Sequence, residues 1–417
     1  MACLTSLRMA ADQYGLVAHM TETPFRWRQI AIPAFGPSLL FGIANGAILP
    51  VIALSAIALG ASHAMSGVIA ALIGLGSLMC NIPAAMITSR FGERHSLIGA
   101  AAVSVAALII CVLARHPAVL AAGVLLMGMA TAIFYLARQA FLMEAVPAHM
   151  RARAFATLGG TQRIGMFIGP FASAGLMHFM GLSGAYVVAI VALAAAGALS
   201  FVLPELQPRT EGDEAKAIRP SVLALAVEHK RAYLTLGLGC MLIAAMRASR
   251  QVAIPLWADA IGLSPTATAL VFGCVSAIDM LVFYPAGKVM DQYGRLWVAL
   301  PCALTLAVSF IAIPLTTALV PFVLVCLLMG LGNGIGSGIV MTLGADAAPV
   351  NGRNEFLGIW RLITDAGTST GPFMLAGLTA VVSLGAGIAA TGAFGLVAAG
   401  IFWCNLPRTR KQGDRVI

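Results

Sequence analysis

Apolar runs of membrane-crossing length recur along the whole chain, separated by short polar punctuation. A bilayer core of ~30 Å needs roughly 20 apolar residues in helical form. The pattern predicts helices α1 at Ile30–Ala58, α2 at Met65–Thr88, α3 at Ser96–Ala114, α4 at Ala118–Glu144, α5 at Ala154–Phe179 and α6 at Gly184–Leu203. A second set follows, with α7 at Ala232–Ala258, α8 at Pro265–Val289, α9 at Leu296–Thr316, α10 at Pro321–Asp346, α11 at Glu355–Thr379 and α12 at Leu384–Cys404. The two sets match at a constant offset of 202 residues. Leu126, Met127 and Gly128 align with Leu328, Met329 and Gly330; Ala145, Pro147 and Arg151 with Ala347, Pro349 and Arg353. Pro83, Ala84 and Gly92 align with Pro285, Ala286 and Gly294, and Gly165, Gly169, Pro170 and Phe171 with Gly367, Gly371, Pro372 and Phe373. An even number of helices per repeat makes the two halves parallel.

Composition agrees. The 417 residues are 60% hydrophobic and only 10% charged, whereas soluble domains average about 25% charged. The net charge of +9 is explained by where the cations lie. With the N-terminus inside, nineteen of the 25 Lys and Arg fall in cytoplasmic segments and only Arg115 falls outside. That bias predicts a multi-pass inner-membrane protein with both termini cytoplasmic. The expected divisions are a cytoplasmic extension at 1–29, a six-helix half at 30–203, a charged cytoplasmic linker at 204–231, a second six-helix half at 232–404 and a basic tail at 405–417. The N-terminal stretch lacks the layout of a cleavable signal. The eight cysteines show no CxxC and no Cys/His ligand spacing, and they read as buried free thiols. Neither a metal nor a cofactor is expected.

Three motifs sit on this frame. Between α2 and α3 lies Arg90-Phe-Gly92-Glu-Arg94, and its repeat runs Gly287-Lys-Val-Met-Asp291-Gln-Tyr-Gly294-Arg295. In α5, Gly165-x-x-x-Gly169-Pro170 places small residues one helical turn apart, and α11 repeats it. Leu49-Pro50 in α1 is followed by Gly60, Ser62 and Gly67. Together with six plus six parallel helices and a charged central loop, these resemble the major facilitator superfamily, and the α1 and α5 motifs are similar to those of its twelve-helix drug:proton antiporters. The match covers roughly residues 30 to 404. The loop resembles the family's G-x-x-x-D-R-x-G-R-R signature; the first copy has Ala85 and Ser89 where the family has glycine and an acid. The resemblance implies an all-α membrane fold, alternating access around a mid-membrane site, a monomer, and gating loops at Arg90, Gly92, Arg94, Glu144, Arg151, Gly287, Asp291, Gly294, Arg295, Asp346 and Arg353. The α5 motif implies export; its presence in both halves fits helix packing equally.

Ionisable residues inside a bilayer are costly and usually functional. Five arginines lie well within helices, Arg138, Arg163, Arg247, Arg250 and Arg361, against two acids, Asp279 and Asp365. Arg361 and Asp365 are four apart and can pair. Family geometry implies that α5 and α8 are neighbours across the interface, which makes Arg163 and Asp279 an inter-half pair. Arg247, Arg250 and Gln251 share a face of α7, Arg138 and Gln139 lie on α4, and α1 offers Asn45; the family places α4 and α7 along the cavity. The pairs either set packing alone or exchange partners, in which case Asp279 and Asp365 take up protons. The cationic excess calls for a carboxylate or phosphate partner, unless Arg138 and Arg361, about six residues from helix ends, reach the surface instead. The seven histidines lie near the two faces, where surface residence explains them.

The leading expectation is proton-coupled export of small amphiphilic compounds, drugs or anionic metabolites, with protons and membrane lipids as the other partners. The alternatives are an organic-anion or phosphate-ester importer or exchanger with an arginine-lined site, or a lipid flippase. The sequence carries no GxSxG, no phosphate-binding glycine loop and no basic patch interleaved with aromatics, so neither an enzyme nor a nucleic-acid binder is expected.

Overall fold

The computed structural model describes residues 27–146, 150–203, 222–349 and 352–407. The described residues are helical throughout, without strands. In the first half, α1 is Trp27–Ala58; α2 and α3 form one run, His63–Leu113, broken where Gly92 takes φ +76°; α4 is Pro117–Ala145, α5 Arg151–Met180 and α6 Ser183–Ser200. In the second, after a short helical segment at Val222–Glu228, α7 spans Lys230–Ala260 and includes a π-helical stretch at Tyr233–Gly237. Then come α8 Pro265–Tyr293, α9 Leu296–Leu315, α10 Leu319–Ala347 with a break between Ile335 and Ile339, α11 Arg353–Val381 and α12 Leu384–Asn405. The expected linker and tail fall largely outside the described residues. All helices but α5 and α11 belong to runs long and apolar enough to cross a membrane. Those two carry charged and polar residues among their apolar ones and are recognised as spans by their length and their place in the bundle.

The sequence repeat is a repeat of contacts. Gly165 and Gly169 of α5 lie against the backbone carbonyls of Leu39 and Ile43 in α1, and Gly367 and Gly371 of α11 against those of Met241 and Ala245 in α7. Gly128 meets Ile73 O and Gly330 meets Val275 O. Each pair of partners is itself 202 residues apart. The turns repeat as well: Gly92 and Gly294 both have positive φ, and Ser62 and Ser264 cap α2 and α8 by accepting from the N–H three residues on, each at 3.2 Å. Pro170 and Pro372 lie within α5 and α11. With lipid outside, helices gain little from hydrophobic association, so close backbone approach through glycine is what holds each half together. The bend-and-pack pattern of α5 therefore works within each half.

Two buried apolar cores follow. One gathers α1–α6, with Phe41 stacked on Phe134 at 4.1 Å, and borrows only Ala269 from the other half; the second gathers α7–α12 and borrows Ala53. Large apolar residues such as Ile82, Phe179, Leu315 and Val381 point outward, as a lipid-facing belt requires. Cys80, Cys111, Cys240, Cys302 and Cys326 are buried free thiols, but Cys274 and Cys404 are exposed on outward helix faces, which corrects the expectation that all would be buried. Cys3 lies outside the described residues.

Replacing Gly367 by Val drives a side chain into the α7 backbone and is expected to destabilise the protein by about 1–3 kcal/mol. Gly377→Ala meets open space and should be neutral or slightly stabilising. Thermal unfolding of the detergent-purified variants checks the contrast.

Candidate functional site

The halves meet closely at one end. His63 Nε2, at the start of α2, lies 3.1 Å from Asp259 Oδ2, at the end of α7. Nearby Gly67 rests on Ala376 and Leu256, Ser369 Oγ donates to Gly74 O at 3.3 Å, and Gly273 of α8 lies against the ring of Phe171 in α5. Only a small space of about 90 Å³ remains between α1, α2, α7 and α11, lined among others by Leu49, Gly74, Gln251 and Thr368. Toward the Gly92–Gly294 end the interface loosens, and Arg361 and Asp365 keep 59% and 37% of their side-chain surface exposed.

At mid-depth, one carboxylate ties the halves together. Asp279 of α8 receives Arg163 Nη1 of α5 at 3.3 Å on Oδ1, so the inter-half pair expected from the sequence is formed. On its other side, Asn333 Nδ2 donates to Oδ2 at 2.6 Å and Arg250 Nη2 stops at 4.0 Å. Ser337 Oγ lies 3.4 Å from Oδ1 and 3.3 Å from Asn333 O, so its one proton is shared between these two acceptors. Arg247 Nη2 donates to Asn333 O at 2.9 Å. That carbonyl is available because α10 breaks here: Ser337 N–H turns to Gly334 O at 3.2 Å. Arg163 also stacks on Phe283, 4.6 Å from the ring centre. Asn333 and Ser337 did not stand out in the sequence. A lone polar residue in the glycine-rich end of α10 was the available signal.

The other intramembrane residues group differently. Arg361 Nε pairs with Asp365 Oδ2 at 3.6 Å, and its Nη1 reaches across to Gln139 Oε1 of α4 at 3.5 Å. Arg138 does not reach the surface, contrary to that possibility; it is 5% exposed, stacks on Tyr135 at 4.9 Å and donates to Gln162 Oε1 at 3.2 Å. Gln162 in turn donates to Tyr135 Oη, a clamp not anticipated. Gln251 faces the small space and not the arginine cluster, and Asn45 is buried in α1.

In the loops at the open end, Arg295 Nε donates to Asp346 Oδ2 at 2.8 Å, and Nη1 donates to Met290 O at 3.1 Å and lies 3.5 Å from Asp291 Oδ1. The hydrogen bond that Arg295 donates to Asp346, reinforced by the charges of both carboxylates, pushes the Arg295 guanidinium pKa up. In the first half the positions equivalent to Arg295 and Asp346 are Glu93 and Glu144, two acids, so this latch is not repeated in the same form. Arg94 and Glu144 are half-buried, Arg90 is exposed over Phe91 and Arg353 is exposed. Gly287 lines a cavity beside α10. The Arg151 side chain lies outside what is described.

Two parallel helical halves around a charged mid-depth interface, sealed at one end, define a membrane transporter. The sequence matches the Major Facilitator Superfamily over residues 36–372, with a second match at 236–416, and the chain belongs to that family. It is a secondary transporter and a multi-pass membrane protein, not an enzyme. No curated relative matches it in sequence. Solved structures share the fold at low identity. A POT family transporter in complex with 5-aminolevulinic acid superposes with a TM-score of 0.74 at 13% identity, covering 91% of this chain and 96% of that one. A D-xylose-proton symporter gives 0.71 at 17%, covering 92% and 98%. A bacterial homolog of the human lysosomal transporter Spinster, inward-facing and unoccupied, gives 0.72 at 15%, covering 92% and 97%.

Replacing Asp279 by Ala leaves Arg163 and Arg250 uncompensated at mid-depth. It is expected to cost about 3–5 kcal/mol, as breaking a buried pair does, while Asp365→Asn, in a half-exposed pair, should cost about 1 kcal/mol or less. Denaturation of both variants in one detergent checks the order.

Proposed function

We propose that this transporter couples proton movement to export of small amphiphilic compounds, with Asp365 as the titrating group. The supporting observation is the contrast between the two intramembrane acids. Asp279 is held by Arg163, Asn333 and Ser337 and backed by Arg250, so a proton would have to displace several donors at once. Asp365 has the Arg361 pair alone at 3.6 Å and faces the open end. When the halves rock and Arg361 is drawn toward or away from Gln139, Asp365 loses or regains its one cation. A carboxylate that loses its counter-charge in a dry site takes up a proton.

The positive-inside bias supports placing the open end in the cytoplasm, with both termini there and the protein in the inner membrane. His63 and Asp259 then form an outer seal, and Arg295–Asp346 belongs to the cytoplasmic latch. Export rests on the resemblance to drug:proton antiporters; because Gly165 and Gly169 pack within their own half, their pattern adds nothing to it. A second reading is favoured by the arginines: exchange of organic anions without protons.

In proteoliposomes with an imposed pH gradient, wild type should accumulate or expel an amphiphilic substrate in proportion to the gradient, and Asp365→Asn should abolish the gradient dependence while retaining counterflow. Gradient-driven transport that survives in Asp365→Asn would overturn the coupling assignment.

A further inference from the structure

Around Asp279, three guanidinium groups stand against one carboxylate. Arg247 joins the group through Asn333, whose carbonyl it binds and whose amide holds Asp279. The excess of two positive charges is only partly solvated. Arg250 is 5% exposed, its Nε and Nη1 are buried with no hydrogen-bond partner among the described residues, and its Nη2 stops short of hydrogen-bonding distance from Asp279. Arg247 Nε is likewise unpartnered. Arginine cannot discharge by losing its proton. Unmet donors of this kind carry a desolvation cost of about 1–3 kcal/mol each, more for charged groups. A fixed, costly positive excess at the inter-half seam calls for an acceptor that arrives from outside.

The space for one is adjacent. A cavity of about 410 Å³ opens between α8 and α10 on the Gly294 side of the cluster, lined by Phe283, Tyr284, Met290 and Ile335, with Lys288 and Asp291 also on its wall. Phe283 is the ring on which Arg163 stacks, and Ile335 and Gly338 flank the Ser337 that binds Asp279. The volume is within the range of small-molecule sites, about 300–1,000 Å³. Its apolar side chains suit an apolar body, and Phe283 connects that wall to Arg163.

We propose that Arg163, Arg247 and Arg250 bind the dianionic head of a phosphate monoester, with Asp279 as a tethered carboxylate that occupies the arginines when no solute is present. This rests on reading the inter-half space as the solute pathway. A phosphate monoester carries close to two negative charges at neutral pH, matching the excess, and guanidinium groups hold its oxygens through paired N–H bonds. As the head group enters, it takes Arg163 and Arg250 from Asp279, which stays on Asn333 and Ser337. Solute binding thereby releases the inter-half ion pair that the empty protein holds.

The test is binding, not transport. Full-length protein in detergent is titrated calorimetrically at pH 7.5 with phenyl phosphate and with benzyl alcohol, its neutral near-analogue. Wild type should bind phenyl phosphate and not the alcohol, more weakly as salt rises. Arg247→Met and Arg250→Met should each lose tenfold or more in affinity. Asp279→Asn should gain severalfold, because the built-in competitor is neutralised. Equal affinity for the alcohol, unchanged phosphate affinity in both arginine variants, or weaker binding in Asp279→Asn would each overturn the proposal. If Asp279→Asn does not fold, the two arginine variants decide. The measurement uses no gradient, so a failed proton-coupling assay leaves it standing, and its own failure leaves the Asp365 assignment intact.

Discussion

A charge at mid-depth in a bilayer must find a counter-charge or be expelled from the fold. In this protein that constraint converges on Asp279. One oxygen takes Arg163 from the first half beside Ser337 of the second, and the other faces Asn333 and Arg250 in the second. The α1–α5 and α7–α11 glycine contacts build each half from within, and at the seam Gly67, Gly74 and Gly273 also touch the other half. At mid-depth the ion pair makes relative position matter energetically. Since the same carboxylate has donors on both sides, releasing one half does not strand it.

The two halves share a scaffold and differ in charge. Arg163 and Asp365 occupy equivalent positions in α5 and α11, as do Asn45 and Arg247 in α1 and α7. Backbone packing, turns and caps obey the repeat closely, because they depend on glycine and serine at fixed offsets. The polar groups break it, and at Arg163 and Asp365 the break places opposite charges at equivalent positions. The same split appears in the loops, where Arg295 and Asp346 pair but Glu93 and Glu144 stand in their places. A symmetric frame carrying asymmetric charge gives two arrangements of similar packing and different electrostatics, the condition for alternating access.

The helices and their repeat were legible because a lipid environment writes them into the sequence as apolar length and small-residue spacing. The Arg163–Asp279 pair was legible because the family resemblance implies that α5 and α8 adjoin, and few other charges share their depth. Asn333 and Ser337 were not, since their role depends on a helix break that frees a backbone carbonyl, a tertiary event without periodicity. His63 and Asp259 were not, because each alone is an ordinary polar residue at a helix end, and 196 residues separate them. Arg138 defeated a distance argument: six residues from a helix end is within reach of water, yet Tyr135 and Gln162 hold it inside.

The polarity of α5 and α11 has a consequence for how the chain is made. Both are less apolar than the other spans, and both carry their glycine face for a helix synthesised earlier, α1 for one and α7 for the other. Each therefore enters the bilayer as a guest of a helix already there, its glycines seated before its arginine or aspartate meets hydrocarbon. Order of synthesis and order of packing coincide, and each half is assembled around its first helix.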